Sequence, residues 1–205
     1  MRRFRTAAAA LSACALLAAC EDSTGSDAAN EVRFTYSGAF SGSYDADGDF
    51  PGRSRRGDES FSVGVDLEPL FGAGVYGVLG SEALGDGFAD VFTITIDNLD
   101  EGNYSCGSVQ IGNGDCPFDV QLALGYDWDT GFDDIEFELV AGQLRIAEID
   151  GDRIRGTFSA TMAEVFDGDI ITLQGGTFDV EVRSYSQVVG STTTQRAPRA
   201  TLFRD

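Results

Sequence analysis

From residue 31 onward the apolar residues of this chain recur at every second position. Val32, Phe34 and Tyr36 form one set, and Phe61, Val63, Val65 and Leu67 form another, with Ser62, Asp66 and Glu68 opposed to them. Phe92, Ile94 and Ile96 alternate with Thr93, Thr95 and Asp97, and Phe118, Val120, Leu122 and Leu124 alternate with Asp119 and Gln121. Ile135, Phe137 and Leu139 alternate with Glu136 and Glu138. Successive strand side chains point to opposite faces, so each set predicts a strand with one buried and one wet face. No window carries a sustained helical period.

Turn residues separate these sets, with 26 Gly in the chain and Asp or Asn beside many of them. Asp150-Gly151, between Leu144–Ile149 and Arg153–Met162, predicts a hairpin with a two-residue turn. Asp167-Gly168-Asp169 breaks the next pair, and Asn113-Gly114 marks another turn. Val75 to Gly87 is Gly-rich and weakly patterned, which predicts an edge strand followed by a loop. The sum is roughly ten short strands in an all-β fold, a single antiparallel β-sandwich or partly open β-barrel. A closed lipocalin-like barrel is the structural alternative. A membrane-spanning barrel fits poorly, because strand faces bearing Asp and Glu would meet lipid. Apolar residues on the alternating faces are expected to point inward.

Two segments near the C-terminus repeat a short unit. Gly156-Thr157-Phe158 and Gly176-Thr177-Phe178 begin 20 residues apart, the second continuing into Asp179-Val180. This pair resembles the C-terminal signature of small, uncharacterised secreted bacterial lipoproteins, a resemblance that covers about 30 residues and implies an address and a fold rather than an activity. Physically, Phe158 and Phe178 should enter one core, with Ile154, Ala160, Met162, Val180 and Val182 extending the same faces. Thr157, Asp179 and Glu181 should face water. The Gly before each Thr leaves room for a neighbouring chain or a bend.

The N-terminus supplies a matching address. Met1-Arg2-Arg3-Phe4-Arg5 is basic and Ala7 to Ala19 carries no charge, which is the layout of an export signal. Its last four residues, Leu17-Ala18-Ala19-Cys20, resemble the lipobox of bacterial lipoproteins. The resemblance implies removal of residues 1–19 as a lipoprotein signal peptide and acylation of Cys20. The membrane would then be a partner through that lipid, and the bacterial cell envelope the location. The alternative is an ordinary secretory signal with a chance Cys at its end. Residues 20–30 contain no large apolar side chain and read as a flexible tether. The β-domain would span residues 31–183, and residues 184–205 would form a loose tail, unless Ala200 to Phe203 docks as a late edge strand.

Composition narrows the chemistry. The chain carries 14 Arg, no Lys and 34 acidic residues, a formal charge of −20 that becomes −23 once Arg2, Arg3 and Arg5 leave with the signal. A phosphate backbone would be repelled, so nucleic acid is excluded as a partner. The absence of His removes Ser-His-Asp and Cys-His nucleophile systems and the commonest zinc ligand. With Cys14 inside the signal and Cys20 acylated, Cys106 and Cys116 remain. In an oxidising compartment they are expected to pair as a structural disulfide, worth about 2–3 kcal/mol on the chain-entropy account.

Three segments are candidates for binding or catalysis. Asp45, Asp47 and Asp49 place carboxylates at alternate positions, as at the start of a calcium loop. Phe50 and Arg56 stand where an EF-hand needs Gly and Glu, so only a looser Ca2+ turn is open. The competing reading is a solvated loop in which Arg53, Arg55 and Arg56 pair with the same acids. Tyr126, Asp127, Trp128 and Asp129, followed by Thr130-Gly131-Phe132-Asp133-Asp134, gather the only Trp with aromatics and carboxylates, as sugar-binding loops do. Against this stands the reading that Trp128 caps an open end of the core. Asp129-Thr130-Gly131 also matches an aspartic protease triplet, but its flanks differ and no second triplet occurs. A carboxylate-pair glycosidase is chemically allowed, although no spacing shows which two acids would face each other. The functional expectation is therefore a lipid-anchored, non-catalytic binding or structural module, with carbohydrate or an envelope protein as its partner. A carboxylate-based polysaccharide hydrolase is the alternative.

Overall fold

Among the described residues there are ten strands: β1 (Glu31–Gly38), β2 (Gly42–Asp47), β3 (Phe61–Asp66), β4 (Val75–Gly85), β5 (Phe88–Asp97), β6 (Gly102–Cys106), β7 (Phe118–Asp127), β8 (Ile135–Asp150), β9 (Arg153–Glu164) and β10 (Ile170–Ser184). The five period-two sets lie on β1, β3, β5, β7 and β8, whereas β2 and β6 carry no such set. Two single-turn helices, α1 (Glu68–Phe71) and α2 (Tyr185–Val189), are too short to leave a helical period in the sequence. The computed structural model describes residues 30–51, 59–72, 74–107 and 116–189. The expected signal with Cys20, the expected tether through residue 29, Arg53, Arg55, Arg56, Asn113-Gly114 and the expected tail from residue 190 lie outside the described residues.

All ten strands belong to one sheet, in which β10-β3-β4-β5-β7-β8 is a continuous path and β9 pairs with both β10 and β8. Seven strands therefore close a barrel. Pairing is antiparallel except between β10 and β3, which run parallel from Val182↔Gly64 to Ser184↔Asp66. One edge of β10 is shared by β1 and β3, and one edge of β8 is shared by β7 and β6. The β1–β2 hairpin and β6 thus branch from the ring. The β1–β2, β4–β5, β7–β8 and β9–β10 connections all lie at one end of the barrel, here called the upper end.

The repeated Gly-Thr-Phe units lie side by side on β9 and β10. Thr157 pairs with Thr177, Gly176 with Phe158, and Phe178 with Gly156. Each Phe ring covers the other strand's Gly: a Cβ on Gly176 would lie 2.6 Å from Phe158 Cε2, and one on Gly156 would overlap Phe178 Cζ and the Arg145 carbonyl. Phe158 and Phe178 join Ile154, Ala160, Met162 and Val180 in the main core, with Val182 packed against it. Phe34, Tyr44 and Phe92 complete the aromatic centre, with Phe34 stacked on Tyr44 at 4.6 Å and Phe92 on Phe158 at 4.9 Å. The hairpin turn has the expected two-residue length, but Asp150 pairs with Arg153 and the turn residues are Gly151-Asp152 rather than Asp150-Gly151, with Gly151 at φ +61°.

Two strands depart from expectation. The apolar face of β3 points outward. Phe61, Val63, Val65 and Leu67 pack with Phe50 and Val188 in a second cluster, to which Val75, Leu79, Trp128 and Tyr185 add partly buried surface. The interior opposite β3 is already filled. A Cβ on Gly64 would lie 2.9 Å from Val182 Cγ2, and one on Gly80 of β4 would lie 2.8 Å from Tyr44 Oη. The inward residues of β3 are accordingly small, and Ser62 is fully buried. The second departure is β4, expected at an edge but central, paired to both β3 and β5. Its apolar pattern is weak because Leu67 and Tyr44 occupy the space above Gly77 and Gly80.

Two boundaries also move. Asn30, at the end of the expected tether, is 1% exposed. Its Nδ2 donates to Asp49 Oδ1 at 2.9 Å, and its Oδ1 accepts from the Glu181 N–H at 2.7 Å. The start of the expected tail is α2, whose Val188 is buried in the outer cluster.

Candidate functional site: a polar cleft on the outer sheet face

Strand register assembles a site that no local segment of sequence displays. Asn103 of β6 pairs with Arg145 of β8, and Arg145 with Thr157 of β9. Two pairs along, Ser105 pairs with Gln143 and Gln143 with Ser159. These six side chains stand on the outer face, while the alternating Tyr104, Leu144 and Phe158 turn toward the core. Together they line a cleft of about 410 Å³. Irregularities in the β8–β9 pairing at Leu139/Ala141 and Ile146/Glu148 bracket the β8 segment beneath it. Such bulges bend a strand and increase its twist, which accounts for a hollow between them.

Among the described residues the outward side chains of the cleft are hydroxyls, amides and one guanidinium, with no carboxylate, and Tyr104, Leu144 and Phe158 complete its lining. The polar row continues across the sheet, from Thr157 to Thr177 and on to Arg33 and Asp45. The next row is charged. Arg155 Nε bonds Asp179 Oδ2 at 2.9 Å and its Nη1 bonds Glu148 Oε2 at 2.8 Å, while Arg153 also pairs with Asp179.

The candidates read from the sequence lie elsewhere. Asp45 and Asp47 are exposed on one face of β2, and Asp49 follows the strand. Asp45 Oδ1 accepts from Arg33 Nε at 2.7 Å and Asp49 Oδ1 from Asn30, so two of the three acids are engaged by protein donors. Among the described residues no group of three His, Cys, Asp or Glu side chains converges as a metal site. Cys106 and Cys116 form the expected disulfide, with Cα atoms 5.1 Å apart.

The Tyr126–Asp134 segment forms the β7–β8 connection at the upper end. Asp127 Oδ1 accepts the Asp129 and Thr130 N–H groups, and Oδ2 accepts the Thr130 hydroxyl at 2.7 Å. The Thr130 hydroxyl, then the Asp129 N–H, holds this carboxyl below its ordinary range. Trp128 lies 5.0 Å from Tyr126 edge-on and 6.5 Å from Phe61, so it covers the outer cluster. Asp129 is exposed, within the protease-like triplet, whose Thr130 serves the Asp127 turn. Leu84, Phe88, Phe132, Phe166 and Ile170 are exposed at the same end. Described residues 84–90, 125–136 and 163–170 there contain many acids and no Arg.

The structure also brings together a carboxylate pair that the sequence left hidden. Glu82 of β4 lies directly opposite Asp90 of β5. Both carboxyls are held above their ordinary range, chiefly by burial, with Asp90's charge adding to the shift at Glu82. Tyr44, buried between them and the core, has its hydroxyl pushed well up, again chiefly by burial. Glu82 Oε2 accepts from the Asp45 N–H at 3.3 Å, Asp90 Oδ1 from the Gly125 N–H at 2.9 Å, and the Asp90 carbonyl from Tyr44 Oη. These bonds fasten β2 and β7 to the β4–β5 hairpin, a structural task. No family model, curated protein or solved structure matches the chain.

Proposed function

We propose that this protein is an exported, lipid-anchored envelope module that binds its ligand without transforming it. The observation that carries the reading is the lining of the outer cleft, whose hydroxyl, amide and guanidinium groups recognise a polar ligand but supply no carboxylate pair for hydrolysis. The anchor rests on Leu17-Ala18-Ala19-Cys20 and its flanks. A single acyl chain binds membranes marginally, at about 0.8 kcal/mol per buried methylene, so durable anchoring needs the multiple acylation that the lipobox resemblance implies. Partners are then the membrane, through the Cys20 lipid, and a carbohydrate or envelope protein at the cleft.

Cys20→Ser tests the anchor. The parent protein should pellet with membranes and incorporate a lipid probe, and the variant should do neither. A variant that still fractionates with membranes would overturn this part of the reading. The second reading, a carboxylate hydrolase, is favoured by the Glu82–Asp90 pair alone. It requires hydrolysis of envelope polysaccharide by the parent and its loss in Glu82→Gln.

A further inference from the structure

We infer that the outer cleft is a binding site for a sugar acid, with the Arg145 guanidinium holding the carboxylate and the neutral side chains holding the hydroxyls. The inference deepens the binding reading above and rests on it. Five arginines lie among the described residues. Arg33 pairs with Glu31 and Asp45, Arg153 and Arg155 with Asp179, and Arg183 with Glu181. Among the described residues, Arg145 has no carboxylate within ion-pair distance, although acids outnumber cations 34 to 14 in the chain. Arg145 is exposed and lines the cleft from the middle of its three strands, with Asn103 and Thr157 directly beside it in the register.

Guanidinium is planar and matches a carboxylate with two parallel N–H···O bonds. Ser105, Gln143 and Ser159 offer donors and acceptors one row away, the complement of a ring bearing several hydroxyls. Adjacent strands are about 4.8 Å apart, so the three-strand floor spans about 10 Å, the breadth of one to two sugar rings. The chain's net negative charge repels polyanions, which favours a ligand with one carboxylate among many hydroxyls over nucleic acid or a densely charged polymer.

The test is calorimetric titration of the processed protein in detergent micelles with a glucuronate-terminated disaccharide and its neutral glucose-terminated counterpart. The acid should bind at least tenfold more tightly. Arg145→Gln should erase the preference, and Arg145→Lys should keep part of it. Thr157→Val should weaken both sugars and leave their ratio unchanged. Failure of the parent to bind either sugar, or a preference that survives in Arg145→Gln, would overturn the assignment. Tighter binding of glucose 1-phosphate than of the glucuronate would overturn the choice of a carboxylate. Cleavage of the disaccharide during the titration would sink the non-catalytic reading and leave the site standing, so the two failures are distinguishable.

Discussion

The outer cleft and the upper end of the barrel carry opposite chemistries. The cleft is neutral and polar around one cation, and it lies on strands whose other faces are buried in the main core. The upper end is acidic, rimmed with exposed apolar side chains, and built from loops. Conspicuous residues gather at the upper end, yet its carboxylates at Asp127, Glu82 and Asp90 are occupied in closing turns and seams. The cleft's side chains are individually unremarkable and free to meet a ligand. Chemical prominence in a sequence and availability in a fold are thus separate properties.

Substitutions can separate the two regions by magnitude. Phe178→Ala removes the ring that covers Gly156 beneath the cleft and should cost about 3–5 kcal/mol, lowering Tm by on the order of 10 °C. Chemical denaturation measures it, and a loss below about 1 kcal/mol would mean the paired Gly-Thr-Phe units are not the floor of the fold. Trp128→Ala, at the upper end, should cost about 1–2 kcal/mol, because the ring is only partly buried against Phe61 and Tyr126.

Glu82→Gln should act in the other direction, and with a pH signature. Both carboxyls of the pair are held above their ordinary range, so their contribution to stability is complete below the unfolded-state value near about pH 4. That contribution is lost as pH rises through the folded-state values. The variant should therefore melt above the parent near about pH 8 and level with it below about pH 4. A lower melting temperature for the variant near neutral pH would show the charge to be stabilising. Smallest of all, Phe132→Ser and Arg145→Gln, both at exposed side chains, should each change stability by less than about 0.5 kcal/mol. A larger loss in Arg145→Gln would mean that the guanidinium has a structural partner.

Much of the fold was legible because alternation reports burial directly. The sets led by Val32, Phe92, Phe118 and Ile135 became strands with the expected inner faces, and the Asp150 hairpin has the expected turn length. Alternation does not say which side of a strand the core lies on. For β3 the side was reversed, since the rings and methyl groups that fill the space around it belong to Tyr44 and Val182, far away in sequence. Nor does it reveal a strand whose volume is supplied by neighbours, as at Gly77 and Gly80.

The site was less legible for a related reason. Its six side chains come from three strands spanning residues 103–105, 143–145 and 157–159, and only register brings them together. The Glu82–Asp90 pair was obscured by a single residue. Asp86 and Gly87, at φ +56° and +84°, form the two-residue turn of the β4–β5 hairpin, and counting outward from it would oppose Asp90 to Ala83. The irregularity between Ala83 and Gly85 shifts the register by one, and the two acids meet.

Chemical-shift mapping with the glucuronate-terminated disaccharide tests the central claim most directly, because it reports on both regions in one experiment. Perturbations should concentrate on Asn103, Ser105, Gln143, Arg145, Thr157 and Ser159, with the Arg145 side-chain resonance moving most. Perturbations centred instead on Tyr126 to Asp134, with the cleft silent, would contradict the account and return the ligand to the acidic, aromatic end.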